Sequence, residues 1–555
     1  MNINASINQS LEKENRHYHE ESSCVPCTPG LDVRRGIWVK ESELGKADKI
    51  GTPVFYDGEN VLMVPFSHTL VTGSTGTGKS EVFYKNQLRL LATARPDLRP
   101  SFLITDLKGD ISEMQAEYLR RQGYRVIVFN MRDPYRSARY NFLTRIYDDY
   151  RDASIIEAAL KNGEIDTFFE GVEYKTVKEA RAAAACHRLT LLDSVERAVT
   201  ELSHIIIETH DPKDKMWDDG GRTMLKALIF TMLRDSDDPR TGMDRKKFTI
   251  ANVCRAAYST RDDCDELVSW LSRADDILCV KNAIAANYRI NAKVTRDGYV
   301  STLNTALGSY TSGSIGAMTA TTNDIDLREV AKSEQPYAIF VITDDRQKAT
   351  NSICMLLINN LVNELIAAAD NRPEHALPRD FIILADEFAN MPALPNLAGK
   401  ITTLRSRRIW MTMAIQSIQQ LRMVYGEDVA SILGDNCDLH LFLGCNNDET
   451  KDNFARSMGK KLGVKTSFNL SNDNSVSVTK STEDVPVIRK SDLDSLELGE
   501  FFLRSRQCRN LRTAMIPYFR QNHPILPQKE HTYQAYDPDA NVYDIYKVLS
   551  RVSRA

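Results

Sequence analysis

One stretch, HTLVTGSTGTGKSEVFYKNQLRLL (His68–Leu91), restricts the fold more than any other. Gly73, Gly78, Lys79 and Ser80 satisfy every fixed position of G-x-x-x-x-G-K-[ST]. Before the loop, TLVT is a short run of β-formers. After it, Val82, Phe83, Leu88, Leu90 and Leu91 recur at roughly helical spacing. A buried strand, a loop and a helix are therefore expected in that order. Glycine lets the backbone N–H groups of Gly73, Ser74, Thr75, Gly76, Thr77 and Gly78 turn inward around phosphate oxygens at a helix N-terminus. Lys79 is expected to reach the β- and γ-phosphates, and the Ser80 hydroxyl to ligate Mg2+. The pattern predicts a bound nucleoside triphosphate.

Such a loop needs a sheet beneath it, and the flanking sequence supplies one. SFLIT (Ser101–Thr105) and YRVIVFNM (Tyr124–Met131) bracket a helical pattern, and YAIFVITDD (Tyr337–Asp345), FIILADE (Phe381–Glu387), IWMTMAIQ (Ile409–Gln416) and LHLFLG (Leu439–Gly444) continue the alternation. The fold class is α/β, with a parallel sheet and crossover helices. With 555 residues, two or three domains are expected. Residues 1–50 read as a polar leader. Residues 51–150 and 333–525 form the nucleotide-binding domain, and 151–332, long and helical from Ala180 to Glu208 and again from Trp217 to Asp235, an inserted all-α domain. Residues 526–555 form a C-terminal tail with a short terminal helix. GEFFLRSRQCRNLRTAMI (Gly499–Ile516) suggests a closing hairpin, and the Ser/Asn/Thr-rich 466–484 segment a mobile hairpin or loop.

Hydrolysis requires a carboxylate at the end of a distant strand. Asp386 follows the apolar run FIILA and is expected to assist the metal, while Glu387 orients and polarises the attacking water. Gln416 ends the next strand, where it would sense the γ-phosphate. Between these strands lie Arg405, Arg407 and Arg408. A charged helix face accounts for at least one of them. Another is a candidate arginine finger acting on a neighbouring copy's nucleotide, an effect of roughly 10³ to 10⁵ on hydrolysis that would make activity depend on a ring.

The formal net charge of −4 leaves any nucleic-acid contact local. Candidates are the 466–484 segment and the arginines of LRSRQCRNLR (Leu503–Arg512), for which a solvated face is the ordinary alternative. No apolar run approaches a membrane span, LKALIFTML (Leu225–Leu233) being the best candidate, and no signal peptide is visible. Ten scattered cysteines suit reduced thiols in a cytoplasmic protein. Cys24 and Cys27 form C-x-x-C below His17 and His19. Free thiols are the simpler reading than a zinc site, because no second pair follows.

Four segments together resemble the TraG/TraD-type coupling ATPases of conjugation and type IV secretion. They are GSTGTGKS; ITDLKGDISEMQAEYLRRQGYRVIVFN with its D-x-K-G-[DE] element (Asp106, Lys108, Gly109, Asp110); RYNFL (Arg139–Leu143); and LADEFANMPALPNLAGKITTLRSRRIWMTMAIQSIQQLRMVYGED. The resemblance spans roughly residues 60–520. It implies a RecA-like domain interrupted by an all-α domain, a homo-hexameric ring, and ATP with Mg2+ as ligands. It further implies ATP-driven delivery of single- or double-stranded DNA with its relaxase, or of protein cargo, to a secretion channel. By position, Arg405 matches the family's finger and Gln416 its γ-phosphate sensor. Members of that family usually begin with membrane-spanning helices. Their lack here suggests either a trimmed chain or, as the polar start favours, a soluble member held at the inner face of the cell membrane by membrane-embedded secretion components or a separate anchor. A nucleotide-gated docking receptor with little turnover is the alternative, and a septal or repair-type DNA pump a third.

Overall fold

The computed structural model describes residues 25–209, 213–259, 265–285, 293–320, 324–344, 351–391, 393–470, 476–522, 526 and 535–552. Ten strands build the central sheet. In chain order they are β1 (Val25–Pro26), β2 (Thr69–Gly73), β3 (Ser101–Asp106), β4 (Arg125–Asn130), β5 (Tyr337–Ile342), β6 (Phe381–Ala385), β7 (Ile409–Ile415), β8 (Leu439–Gly444), β9 (Glu500–Ser505) and β10 (Leu511–Ala514). Across the sheet the order is β1-β10-β9-β8-β2-β7-β6-β3-β5-β4. From β8 to β4 every pairing is parallel, with Thr72 beside Ile415 and Ala385 beside both Met413 and Thr105. The hairpin β9–β10 adds antiparallel to β8.

The sequence builds this sheet because its central strands are mostly apolar and buried at almost every position, as packing on both faces demands. Alternate residues feed different cores. Leu103, Ile339, Val341 and Ile383 point into one, while Phe102, Ile104, Phe340, Ile382 and Leu384 point into the other. The second core is closed by α1 (Lys85–Ala92), α2 (Asp110–Arg121) and a small sheet of Ile37–Lys40, Asn60–Val64 and Thr52–Tyr56.

The chain leaves the sheet after Asn130 and rejoins it at Tyr337. Between them run α3 (Thr144–Asn162), α4 (Val177–Ile206), α5 (Lys215–Asp235) and shorter helices, so helical structure begins a few residues before the boundary expected at 151. Thr176 opens α4 by accepting the Glu179 backbone N–H at 3.2 Å. These helices share a continuous apolar core with one face of the sheet, bridged by α6 (Asn351–Asp370). Further on, α7 (Leu397–Leu404) precedes β7, and α8 (Ile545–Val552) closes the chain.

Three sequence expectations need correction. Residues 25–50 are structured: β1 pairs with β10, and Leu31, Val33, Trp38 and Val39 join the second core, so the leader reading is left only with residues outside those described. The α6 helix is long and apolar enough to cross a membrane, which the search for apolar runs missed, yet 67% of its apolar window is buried in the protein core. The C-terminal segment is a clasp on the helical region. Arg139 and Arg255 donate to the carbonyls of Ala535 and Pro538, and Tyr543 and Ile545 are buried.

At the centre of the clasp lies Asp235, fully buried. It accepts hydrogen bonds from Trp270 Nε1 and Arg273 Nε, each at 2.7 Å, and from the Tyr543 hydroxyl. Removing the carboxylate takes the main acceptor from Trp270 and Tyr543 and leaves the Arg273 guanidinium held by Asp238 alone, at 3.2 Å. Asp235→Ala is expected to cost about 3 kcal/mol, and Tyr543→Phe about 1 kcal/mol. Both would be read from urea midpoints followed by tryptophan fluorescence.

Candidate functional site

The loop after β2 is a phosphate cradle in geometry as well as in sequence. Gly78 lies at φ 88°, in the left-handed region, and a Cβ there would stand 2.8 Å from Leu498 Cδ1. Only glycine fits without displacement. Next comes a wide helical turn over Lys79–Tyr84, which runs into α1. Lys79 Nζ curls over the loop and donates to the carbonyl oxygens of Gly73 at 2.7 Å and Ser74 at 3.4 Å. Burial disfavours its charge, and Asp386 and Glu387 oppose that loss.

The chain brings Ser80 and Asp386 together across 306 positions, with Ser80 Oγ donating to Asp386 Oδ2 at 3.1 Å. The other oxygen, Asp386 Oδ1, is shut off from water with no hydrogen-bond partner. Burial pushes this carboxyl up to about 6, against the favourable charge of Lys79. A hydroxyl beside a half-satisfied carboxylate fits a hard divalent cation that takes few protein oxygens and completes its shell with phosphate and water. Glu387 follows in the left-handed conformation at φ 52°, unusual for a residue with a side chain, and its carboxylate accepts from Asn390 Nδ2. Strain of about 1–3 kcal/mol is typical of such a position.

Gln416 directly follows β7, the strand lying between β2 and β6. It therefore stands at the same edge as the loop and the Asp386–Glu387 pair. Arg405 is not in this cluster. It lies before the first residue of β7, at the opposite edge, and its Nη1 pairs with Asp438 Oδ2 at 3.1 Å. The other two arginines are committed elsewhere, Arg407 to Asp370 at 2.7 Å and Arg408 to Asp380 at 2.6 Å.

Two contributors escaped the sequence reading of the site. The segment after β8 covers the cradle: the Ser74 N–H donates to the Gly444 carbonyl at 2.8 Å, and the Asn446 N–H to Ser74 Oγ at 3.3 Å. A glycine ending the strand run LHLFLG was the available signal. The second is Asp106, which ends β3 and caps α2, accepting the Gly109 and Ser112 N–H groups at 2.8 Å each. Burial raises its carboxyl to about 6, and the Asp386 charge adds to the shift. The fully buried Lys85 ties the D-x-K-G-D loop to the cradle's helix through Asp110 at 3.3 Å and Glu81 at 2.5 Å.

The remaining candidates lie apart. Cys27 packs beside β10 with its thiol pushed up to about 11 by burial, while Cys24, His17 and His19 are outside the described residues. Among the described residues no cluster of metal-ligating side chains occurs. Strands Lys460–Leu470 and Val476–Pro486 pair as a long antiparallel hairpin, whose side chains from 464 to 481 lie outside those described. Arg512 is bound to Glu500 at 2.8 Å.

The family described as type IV secretory system conjugative DNA transfer matches residues 32–493. Among solved structures, the bacterial conjugative coupling protein TrwBΔN70 in an unbound form superposes with a TM-score of 0.56 at 15% identity, covering 89% of this chain and 95% of that one. TrwB with the ATP analogue ADPNP gives 0.55 at 15% identity over 92% and 100%, and TrwB with ADP and Mg2+ gives 0.54 at 15% over 93% and 98%. At this identity the likeness establishes the fold: a RecA-like α/β domain with an all-α domain. No curated protein sequence matches the chain.

Asp386 sets a pH test. Its folded value, about 6, lies above the ordinary aspartate value of 3.8, so the fold binds the proton more tightly than the unfolded chain. Stability from this group is fully present below about 4 and is lost as pH rises through about 6. Asp386→Asn is therefore expected to stabilise the nucleotide-free protein by about 2 kcal/mol at pH 7.5, and by nothing at pH 4. Thermal unfolding at the two pH values would measure it.

Proposed function

The chain belongs to the type IV secretory system conjugative DNA transfer family, and from that premise we propose that it is an ATP-hydrolysing coupling protein. It delivers DNA with its relaxase, or a protein cargo, to a type IV secretion channel as a homo-hexameric ring. The observation that carries this reading is the 3.1 Å contact between Ser80 and Asp386 with Glu387 next in the chain. A binding switch needs the first two groups, whereas only hydrolysis needs the third. TrwB, whose structures hold ADPNP or ADP with Mg2+, supports ATP and Mg2+ as the ligands.

In this reading the loop's N–H groups other than those of Ser74 and Thr77, which donate to the Gly444 and Ser74 carbonyls, would hold the phosphates, and Lys79 exchanges the Gly73 carbonyl for phosphate oxygen. Ser80 and Asp386 hold Mg2+, which would neutralise charge on the β- and γ-phosphates. Glu387 takes the proton of the attacking water. Gln416, beside the cradle at the strand edge, registers loss of the γ-phosphate. Arg405 serves the site of the adjacent copy, and a membrane-embedded partner holds the ring at the cell's inner face.

Lys79→Ala is expected to abolish nucleotide binding, and Glu387→Gln to leave binding intact while lowering turnover by at least about 100-fold. Arg405→Ala should lower turnover by about 10³ with binding unchanged. DNA should raise the ATPase rate in a salt-sensitive manner, because phosphate contacts release counter-ions. Steady-state phosphate release between 50 and 200 mM salt measures this. A rate indifferent to DNA, with tight binding of protein cargo, would favour the docking receptor.

A further inference from the structure

The edge of the sheet that carries Arg405 holds more positive charge than one finger. Asp438, mostly buried just before β8, binds Arg405 at 3.1 Å and accepts Gln507 Nε2 at 2.8 Å on the same oxygen. Its carbonyl accepts the Arg506 N–H at 3.2 Å. Arg506 in turn reaches Asp435 at 4.0 Å. Arg504 stands opposite His440 in the β8–β9 pairing, two residues from Asp438 along the strand, and is half-buried.

The charge balance singles out Arg504. Arg405 is matched by Asp438 and Arg506 by Asp435. Arg504 has no ion pair among the described residues, although it feels both carboxylates at longer range. Burial and the neighbouring Arg506 disfavour its cationic form. A half-buried cation without a counter-ion is held at a cost that an incoming phosphate would remove. Arg405, by contrast, is partly neutralised by its own carboxylate and projects a weakened field outward.

We propose that Arg504 is a second trans-acting cation, on the same sheet edge as Arg405, which contacts the triphosphate bound to a neighbouring copy of this chain. The proposal rests on the ring reading above. Asp438 is a positioning residue in it, fixing one guanidinium directly and lying diagonally across the strand pair from the other.

The test is subunit mixing in the full-length protein. Arg504→Ala is expected to lower kcat by about 100-fold with nucleotide binding unchanged. Glu387→Gln subunits are inactive in their own site but carry an intact arginine edge. Mixed at equal ratio, the two inactive variants should recover up to about one quarter of the wild-type rate, the share of boundaries that pair an intact site with an intact edge under random closure of a ring. Arg405→Ala mixed with Glu387→Gln is the companion experiment. Recovery in the companion but not with Arg504→Ala would overturn the proposal and leave the ring reading standing. Recovery in neither would remove the shared boundary itself, and the proposal with it. A wild-type rate for Arg504→Ala, or lost DNA binding with the DNA-free rate intact, would also overturn it. Should Arg504→Ala fail to fold, Arg504→Gln carries the same mixture.

Discussion

The structure depends on one contact made across two strand spacings, about 10 Å of sheet: the hydroxyl of Ser80 against the carboxylate of Asp386. Neither residue can reach the other unless β2, β7 and β6 lie side by side, parallel and in the observed register. The contact offsets only part of what its setting costs, since the Ser80 hydrogen bond favours the charge that burial opposes. It holds a carboxylate largely out of water with one oxygen unsatisfied, so that burial drives its proton affinity up. The apolar strands on either side supply what the site consumes, since they are buried along their whole length and leave no freedom to relax it. Asp106 repeats the pattern one strand further on, where two backbone N–H groups meet the charge but burial still dominates.

The helical insertion is fused to this arrangement. Its apolar residues run without a break into one face of the sheet. Polar contacts cross the same boundary: Glu201 on α4 accepts from Asn359 and Asn363 on α6 at 2.7 and 2.8 Å, and Lys400 on α7 donates to Asn359 at 2.7 Å. Lys400 is buried, and its charge is disfavoured by that burial and sustained by Glu201. One turn beyond Lys400, α7 delivers the chain to Arg405. The buried lysine therefore links the helical region physically to the arginine edge, because a displacement of α4 must either carry α7 with it or leave a charge unpaired.

The sequence made legible whatever is local and periodic. The cradle, the apolar strands and the Asp386–Glu387 pair are spelled by contiguous residues, and so is the β9–β10 hairpin. It failed where meaning comes from pairing. A two-residue strand at Val25–Pro26 has no signature apart from its partner β10, 486 positions away by the Val25–Leu511 register. The apolar α6 could not be weighed as a membrane helix without seeing the core around it. Arg405, Arg407 and Arg408 look alike in sequence, and only Asp370 and Asp380 tell the second and third apart from the first. The 444–447 segment required knowing that β8 lies next to β2.

Strand direction is what turns these parts into a question about more than one copy. In a parallel sheet all the C-terminal strand ends lie at one edge, and here they collect the cradle, Asp386, Glu387 and Gln416. Arg405, Asp438 and Arg504 lie at the other edge, about 20 Å away along β7 and β8. A rigid strand cannot fold back to close that gap. The arginines of one copy can act on a nucleotide only if that nucleotide belongs to another. β7 and β8 flank the cradle strand and each joins the two edges, so a change at Gln416 or Gly444 meets a stiff element ending at the arginines. Under the ring reading proposed above, the sheet that holds a copy's own nucleotide would also be the lever that presents its cations to the next.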